Sequence, residues 1–279
     1  MKPTATMRKT LRFQNGGIIV KDEAIVTEYP LTIKINGKEW ATLVCSPENL
    51  EELTIGYLAS EGIIKKFEDI DELWIQENEG YAHVKTKRIN PFYEKLQNKR
   101  YINSCCGASR KSFVFAHDAL TSKRVNKFQV KLSIEKVFHL MAKMEESAKV
   151  FQQTGGVHNA ALCDQNGFIL TRMDIGRHNA LDKIYGHCMK NKLTIRDKIL
   201  VFSGRVSSEI LIKVAKIGCE IILSKSAPTE LAIELAEQLG ITTIGFIRGQ
   251  SLNVYTFPER VLISNYIDKE EFFPNKKSI

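Results

Sequence analysis

The chain has 279 residues, of which 43% are hydrophobic and 26% charged, which is enough for one large domain or two modest ones with a buried core. Its net charge of +8 and its lack of repeats or low-complexity tracts fit a soluble globular protein, and no other class is needed. The basic first residues contain no apolar run of the length that a signal peptide or membrane span requires. We therefore expect no membrane anchor and a cytoplasmic location.

Two hairpins and one helix are predicted in the first part of the chain. The segments YPLTIKI and EWATLVC alternate apolar and polar residues on either side of Asn36-Gly37, a dipeptide typical of tight hairpin turns. Ser46 as N-cap and Pro47 as first helical residue predict the start of a helix, and Gly62 predicts its end. The apolar stripe of this helix is Leu50, Leu53 and Tyr57. The segment DELWIQENEGYAHVKTK predicts a second hairpin.

The segment from Lys85 to Lys136 is strongly basic. It holds 13 Lys and Arg residues against 3 acidic ones, a net charge of +10 that leaves the rest of the chain close to neutral. Such a segment could bind nucleic acid, but it has neither interleaved surface aromatics nor a recognisable reader motif. An acidic partner or a phosphorylated ligand fits better, and a solvated basic face is the plain alternative.

Two adjacent cysteines, Cys105 and Cys106, lie in this basic segment, in the sequence NSCCGASRKS. Neighbouring side chains point in different directions on a helix or a strand, which disfavours a shared metal ion or an ordinary disulfide. Arg110 and Lys111 would lower the pKa of a nearby thiol, and Gly107 makes Cys106 the more accessible of the two. Disulfide exchange, acyl transfer and persulfide transport are open to such a thiolate, and a structural role is the alternative.

The remaining cysteines have no paired spacing, so no disulfide framework is expected. Cys163, Cys188 and Cys219 lie in apolar stretches, where cysteine commonly acts as a small hydrophobic residue. We predict that these three are reduced and buried.

The second half of the chain alternates helices and strands. A long amphipathic helix ending near Phe151 is predicted from apolar residues at helical spacing, namely Ile134, Val137, Phe138, Met141 and Ala148. A hairpin about Asn166-Gly167 follows, and the next helix is lined by Leu181, Ile184, Tyr185 and Cys188. The apolar runs KILVFSG, EIILSKS and TTIGFIRG are typical of strands buried on both faces of a parallel sheet. Helices ending at Gly218 and Gly240 lie between them, which predicts a βαβαβ unit with helix-covered strands.

Small and basic residues follow these strands. The loops concerned are Asp174–His178, Ser203–Arg205, Ser224–Ser226 and Arg248–Ser251. Ligands of open α/β sheets collect at the carboxyl ends of the strands, where glycine and serine admit a backbone closely and arginine grips phosphate. Taken singly, Arg205 or Arg248 would more often bond a helix C-terminus or a carboxylate than a ligand. Together, the loops predict a phosphate-bearing ligand.

Two histidines lie near these loops, His158 in TGGVHNAAL and His178 in GRHNALDK. Each is a candidate ligand contact or acid/base group, with a packed, hydrogen-bonded histidine as the alternative, above all for His158. Neither GxxxxGK[ST] nor a helix-opening GxGxxG is present, so no familiar nucleotide fold is predicted. No HExxH motif and no second His or Cys at ligand spacing supports a metal site.

Five motifs in order, TGGVHNAAL, DIGRHNALDK, SGRVSSEI, SKSAPTELAIELAEQLG and GFIRGQSLNVYT, resemble those of the formate dehydrogenase accessory family, FdhD/NarQ. NSCCG falls where that family has its reactive cysteine, and the match runs from about Tyr29 to Thr256. The resemblance implies a sulfurtransferase that takes sulfur as a persulfide from a cysteine desulfurase. It would deliver this sulfur to the molybdenum cofactor, bis-molybdopterin guanine dinucleotide, for formate dehydrogenase.

The resemblance also implies an α/β fold class. A cytidine deaminase-like, three-layer α/β domain would form residues 126–279. A smaller strand-rich α+β region, residues 1–125, would carry the cysteine loop at about residues 88–112. The zinc signature of deaminases, H-x-E with P-C-x-x-C, is missing, so deamination is not expected with the fold.

The family's site residues are carried over by motif. Its persulfide cysteine falls on Cys106 if Cys106–Ser109 is aligned with CGxC, and on Cys105 in an alternative alignment. Ser109 then stands where many members have a second cysteine, which bears on any mechanism with two thiols spaced as CxxC. The implied cofactor contacts are Phe246, Ile247, Arg248, Gly249, Gln250 and Ser251. The strand-end loops add Ser226, with Arg177 and Arg205 expected to pair with phosphate as Arg248 does, and His178 to hydrogen-bond pterin or guanine.

The implied partners are a cysteine desulfurase as sulfur donor and the formate dehydrogenase apoprotein, with guanine nucleotides as mimics of the cofactor. The molybdenum cofactor is a bound substrate in this scheme, and no nucleic acid, membrane or tightly held metal is expected. The oligomeric state is open, with a homodimer as one option. The alternative function is a chaperone that binds the pterin cofactor without sulfur chemistry, which needs the loops but not the thiol.

Overall fold

The structure is a computed structural model and describes residues 2–87, 124–125, 129–194 and 197–262. The first described region forms a long hairpin and a four-stranded sheet. Its elements are β1 (Ala5–Gln14), β2 (Gly17–Val26), β3 (Tyr29–Ile35), β4 (Lys38–Cys45), α1 (Leu50–Ser60), β5 (Ile70–Gln76) and β6 (Tyr81–Thr86). The sheet has the order β4-β3-β6-β5, and both hairpins predicted from Tyr29 onward are confirmed.

The prediction that Ser46 and Pro47 begin the first helix is wrong. Helix α1 begins at Leu50, after Asn49 in the left-handed conformation with φ 54°. Ser46 is instead buried, and its hydroxyl accepts a hydrogen bond from the Ile175 backbone N–H at 3.1 Å. A residue that looks like a local helix cap thus makes a long-range contact.

The second region carries the larger sheet. Its elements are β7 (Leu132–Ser133), α2 (Ile134–Ser147), α3 (Lys149–Thr154), β8 (His158–Asp164), β9 (Gly167–Asp174), α4 (Arg177–Lys190), β10 (Ile199–Phe202), α5 (Ser208–Ile217), β11 (Ile221–Ser224), α6 (Glu230–Leu239), β12 (Thr242–Arg248), β13 (Ser251–Val254) and β14 (Val261–Leu262). The six-stranded sheet has the order β13-β12-β11-β10-β8-β9. Strands β10, β11 and β12 are parallel, as predicted, and β8 runs antiparallel to β10.

Helices cover both faces of this sheet. On one face, α4, α5 and α6 pack around Leu200, Phe202 and Ile222, and on the other α2 packs on Val201 and Leu223. The central strands are apolar on both sides because both sides are covered. Helices α5 and α6 end at Gly218 and Gly240 in the left-handed conformation, as the glycines predict. The single long helix expected to end near Phe151 is instead two helices, because the backbone breaks at Ala148. None of the described helices is long and apolar enough to span a membrane.

Helices α1 and α4 join the two sheets through a close crossing. Gly56 and Gly186 face each other there, and a Cβ on either would overlap the backbone carbonyl of the opposite helix, that of Asp182 or Glu52. Tyr185 of α4 packs on the cores of both sheets. Close backbone packing of α1 on α4 therefore holds the four-stranded sheet next to the larger sheet.

Polar groups are buried along the same junction. They are Ser46, Asp174, Asn179 and Lys183 near its upper end, Ser60, Asp182 and Lys213 in its middle, and the partly buried Glu52, Arg172 and His187. Each carboxylate there lies within 3 Å of at least one cationic side chain. Buried charges are tolerated only with such partners.

The boundary between the two regions that the sequence analysis puts between residues 125 and 126 stays a prediction.

Candidate functional site

Four loops meet at one edge of the six-stranded sheet. Because β10, β11 and β12 are parallel, their carboxyl ends lie together, and β9 ends at the same edge since β8 and β9 form an antiparallel hairpin beside β10. We call this edge the strand-end rim and define it by Asp174–His178, Ser203–Arg205, Ser224–Ser226 and Phe246–Ser251. The rim brings together all the predicted cofactor-binding residues.

Serine side chains tie neighbouring loops of the rim to each other. The Ser224 hydroxyl donates to the Gly204 carbonyl at 2.8 Å, and the Ser226 hydroxyl donates to the Ser203 carbonyl at 3.2 Å. The Ser203 hydroxyl accepts from the Asn159 backbone N–H at 2.9 Å. Since the Ser226 proton is used in this way, its hydroxyl would meet an incoming ligand as an acceptor.

The β12–β13 turn forms the outer end of the rim. Arg248 Nε donates to the Lys225 carbonyl at 3.3 Å, and its guanidinium lies 5.4 Å from the centroid of the Phe246 ring. Phe246 and Gly249 both adopt positive φ, 51° and 58°, and the residues from Arg248 to Ser251 are exposed. Ile247 differs from its neighbours, because its side chain is buried in the core between α2 and the sheet. Only its backbone could reach a ligand.

The β9–α4 loop forms the inner end of the rim and rests on a buried ion pair. Asp174 Oδ2 lies 2.7 Å from Lys183 Nζ and accepts the Ser46 backbone N–H at 3.0 Å. Its Oδ1 accepts the Gly176 N–H at 2.8 Å and the Asn179 amide at 2.9 Å. Both charged side chains are fully buried. This buried carboxylate therefore fixes the conformation of the β9–α4 loop.

Arg177 and His178 follow directly as the first residues of α4. His178 Nε2 lies 3.3 Å from Glu209 Oε2 on α5, close enough for an ion pair but without the alignment of a hydrogen bond. Burial lowers the pKa of His178, and Glu209 opposes that shift only in part. Burial and then the positive charge of Arg177 lower the pKa of His158. Both rings are thus neutral near pH 7 and can donate and accept hydrogen bonds.

The electrostatic character of the rim favours anions. Helices α4, α5 and α6 all begin at this edge, and their first turns present backbone N–H groups and the positive ends of helix dipoles. Arg205 and Arg248 are exposed, and Arg177 is half-buried. Lys225, by contrast, is paired with Glu145 at 2.6 Å. Arginine forks beside helix N-termini are an arrangement that suits phosphate groups.

The predicted reactive cysteines, Cys105 and Cys106, lie outside the described residues, as does the whole predicted cysteine loop. The predicted burial of Cys163, Cys188 and Cys219 is confirmed, and Cys45 is buried as well. Burial raises the pKa of the Cys163 and Cys188 thiols to about 12, so these thiols are protonated and inert at neutral pH. Within the described ranges, no group of three or more His, Cys, Asp or Glu side chains is arranged to hold a metal ion.

The residues beneath the rim were missed by the sequence reasoning. Asp174 is predicted only as a residue of a strand-end loop, and no role at the site is predicted for Ser46, Asn179 or Lys183. One signal was available, because α4 buries Asn179, Asp182 and Lys183 among its apolar residues. Charged residues within an apolar helical stripe indicate buried partners.

Comparison with known proteins gives a consistent picture. The model of the FdhD/NarQ family matches residues 26–262. The chain is 54% identical over 261 residues to the sulfur carrier protein FdhD of Shouchella clausii, covering 93% of this chain and 98% of that one. It is 51% identical over 255 residues to the sulfur carrier protein FdhD of Bacillus subtilis, covering 91% and 97%.

A solved structure has the same fold. It is a crystal structure from Desulfotalea psychrophila, described as a candidate formate dehydrogenase accessory protein, with a TM-score of 0.76 and 25% sequence identity. The similarity covers 93% of this chain and 100% of that one. The mixed α/β architecture with several sheets is therefore shared with that protein.

Proposed function

The chain belongs to the FdhD/NarQ family, and from this premise we propose that it is a sulfur carrier for the molybdenum cofactor of formate dehydrogenase. In this proposal Cys106 accepts sulfur from a cysteine desulfurase, and the strand-end rim holds bis-molybdopterin guanine dinucleotide as the substrate that receives it. Relatives named sulfur carrier protein FdhD, aligned over more than nine-tenths of this chain, support the sulfur carrier role. An accessory role of this kind links the chain to formate dehydrogenase.

The first step of this function is a thiol exchange. The Cys106 thiolate attacks the terminal sulfur of the desulfurase persulfide, the S–S bond of the donor breaks, and the donor cysteine leaves as a thiolate. One S–S bond forms as one breaks, so no outside oxidant or reductant is needed. The neighbouring Arg110 and Lys111 would favour the attacking thiolate.

The observation that carries the cofactor-binding part is the convergence of three arginines and three helix N-termini at the strand-end rim. Arg177, Arg205 and Arg248 can each neutralise phosphate charge, and the guanine dinucleotide carries several phosphates. His178, kept neutral by burial, would hydrogen-bond the pterin or the guanine. The turn between β12 and β13 gives exposed backbone groups for further contacts.

We also propose a fold assignment for the second region. A six-stranded mixed sheet with helices on both faces supports the cytidine deaminase-like assignment for the second region. The reaction differs from that of the deaminases, because the sequence lacks their zinc signature. In this proposal the fold binds the nucleotide part of the cofactor while sulfur is delivered to it.

Intact-mass spectrometry tests the sulfur step. After incubation with a cysteine desulfurase and cysteine, the wild-type protein should gain about 32 Da, the mass of one added sulfur. Cys105→Ala is the matched control and should keep the adduct, whereas Cys106→Ala should lose it. Loss in Cys105→Ala alone would move the role to Cys105. A wild-type protein that gains no sulfur would contradict the carrier function and leave the cofactor-binding chaperone in its place.

A further inference from the structure

A carboxylate lies at the strand-end rim, where the other charges favour anions. Glu209 is in the first turn of α5, and its Oε2 is 3.3 Å from Nε2 of His178 in the first turn of α4. The Glu209 side chain is 24% exposed, whereas the Asp174 carboxylate of the same rim is fully buried. A partly exposed negative charge opposes the binding of phosphate. Its position beside a histidine of the rim therefore requires another reason.

A buried ion pair one turn further along the two helices fixes α5 against α4. Lys213 Nζ lies 2.5 and 2.7 Å from the two carboxylate oxygens of Asp182, and both side chains are more than nine-tenths buried. The Ser60 hydroxyl of α1 donates to the same carboxylate at 2.6 Å. Asp182 follows His178 by one helical turn on α4, and Lys213 stands in the same relation to the glutamate on α5. The buried pair therefore holds Glu209 opposite the histidine ring.

The two nitrogens of the His178 ring have different surroundings. Nε2 is buried next to Glu209, so Nδ1 is the nitrogen left for a ligand. Burial lowers the pKa of His178, and the positive charges of Lys213 and Arg177 add to this effect while Glu209 opposes it. The neutral ring has one N–H and one bare nitrogen, and a carboxylate can only accept. Glu209 therefore favours the proton on Nε2, and a small rotation of either side chain would align this hydrogen bond.

We propose that Glu209 positions His178 by accepting its Nε2 proton, so that Nδ1 accepts a hydrogen bond from the aminopyrimidinone ring that pterin and guanine share. The inference rests on the proposed function, in which His178 contacts one of these two rings. Both rings carry a lactam N–H beside an exocyclic amine, and both groups donate. An acceptor at Nδ1 matches them, whereas the opposite tautomer would set one donor against another. Glu209 does not touch the ligand in this scheme and acts through the histidine.

A purely structural role of Glu209 predicts the opposite change in ligand affinity. Acidic residues in the first turn of a helix are stabilised by its dipole, and Glu209 could serve α5 in this way alone. Removing a negative charge with only that role should leave anion binding unchanged or tighten it. Removing the acceptor of the His178 proton should weaken binding, although the rim becomes more positive. The sign of the change thus separates the two roles.

Nitrogen NMR of the ligand-free, full-length protein tests the orientation of the ring. The wild-type spectrum should place the proton of neutral His178 on Nε2. Glu209→Gln, which keeps the shape but loses the charge, should lower the pKa of His178 and mix the two tautomers, because an amide can also donate. The matched control is Glu230→Gln, which neutralises an acidic residue in the first turn of α6 and should change neither property.

Titration calorimetry with GDP and with free pterin tests the ligand contact. His178→Ala identifies the probe whose ring meets the histidine. Glu209→Gln should weaken the binding of that probe by about threefold to tenfold, the range for one hydrogen bond. In the His178→Ala background, Glu209→Gln should cause no further weakening, since its effect passes through the ring. Glu230→Gln should weaken neither probe.

Three results would overturn the proposal. They are a wild-type His178 with its proton on Nδ1, a folded Glu209→Gln protein that binds both probes as tightly as the wild type or more tightly, and a His178→Ala protein that binds both probes like the wild type. Thermal unfolding shows whether the variants are folded, and the wild-type tautomer needs no variant. A wild type that binds neither probe would instead contradict the proposed cofactor binding, and the tautomer would still decide whether Glu209 positions the ring.

Discussion

The two ends of the strand-end rim are built in opposite ways. At the inner end, the Asp174 carboxylate is fully buried and receives the Lys183 ammonium, two backbone N–H groups and the Asn179 amide. At the outer end, Arg248 and the turn residues after it are exposed, and the Arg248 side chain donates one hydrogen bond, to a neighbouring carbonyl. The inner loop is thus placed by buried polar contacts, whereas the outer turn is placed by the pairing of β12 with β13 and by the buried Ile247 side chain.

Because of this difference, we expect the two ends of the rim to contribute differently to folding stability and to ligand affinity. Groups fixed before the ligand arrives lose little conformational entropy on binding, whereas exposed, rotamer-rich side chains must be ordered. We therefore expect the inner end to set the position of Arg177 and His178, and the outer end to adapt to the ligand. Changes beneath the inner loop should act mainly on folding, and changes at the outer turn mainly on affinity.

The largest effect should follow from Lys183→Met. The change keeps the apolar stem but leaves the Asp174 carboxylate buried without its cation, which typically costs about 3–5 kcal/mol of unfolding free energy. Urea unfolding would measure it. Lys85→Met is the matched control, because the ion pair between Lys85 and Glu72 is more than half exposed and should contribute less than about 1 kcal/mol.

The double variant Asp174→Asn with Lys183→Met sharpens this test. If the cost comes from the uncompensated charge, neutralising the carboxylate should recover part of the lost stability. A Lys183→Met protein as stable as the wild type would show that the inner loop does not depend on the buried pair.

A smaller effect is expected at the outer end from Arg248→Ala. Loss of one arginine–phosphate contact should weaken the binding of GDP by about tenfold, or about 1.4 kcal/mol, and leave the unfolding free energy nearly unchanged. Titration calorimetry with GDP as a probe of the guanine nucleotide would measure it. Arg12→Ala, which removes an exposed arginine from the hairpin, is the control for net charge. Unchanged GDP affinity in Arg248→Ala would argue against the outer turn as a phosphate contact.

The sequence predicts the outer end of the rim better than the inner end. Strands β10, β11 and β12 are short apolar runs bounded by turn residues, and this local pattern determines that their ends and loops share an edge. The arginines after these strands could therefore be assigned to one site without a structure. The turn with Arg248 was also indicated by the family motif.

The inner end depends on contacts that no local pattern reports. Ser46 is followed by Pro47, which is typical of a helix start, yet its backbone N–H and hydroxyl contact residues about 130 positions away. Tertiary contacts outweigh a local preference worth about 1 kcal/mol. The hairpin of β1 and β2 is a different case, because it is absent from the predictions although its Asn15-Gly16 turn is a local hairpin signal.

The smallest effect concerns the histidines at the inner end. Burial and the charge of Arg177 lower the pKa of His158, and burial lowers that of His178 despite Glu209. The unfolded chain then binds protons more readily, so the stability contributed by these neutral rings is complete above about pH 6.5 and decreases as the pH falls toward their folded pKa values. NMR titration of the ring protons should place both midpoints below the unfolded value. Arg177→Ala should raise the pKa of both histidines, most clearly that of His158, whereas Arg248→Ala at the outer end should change neither pKa. Equal pKa shifts in the two variants would mean that the ends of the rim are not electrostatically separate.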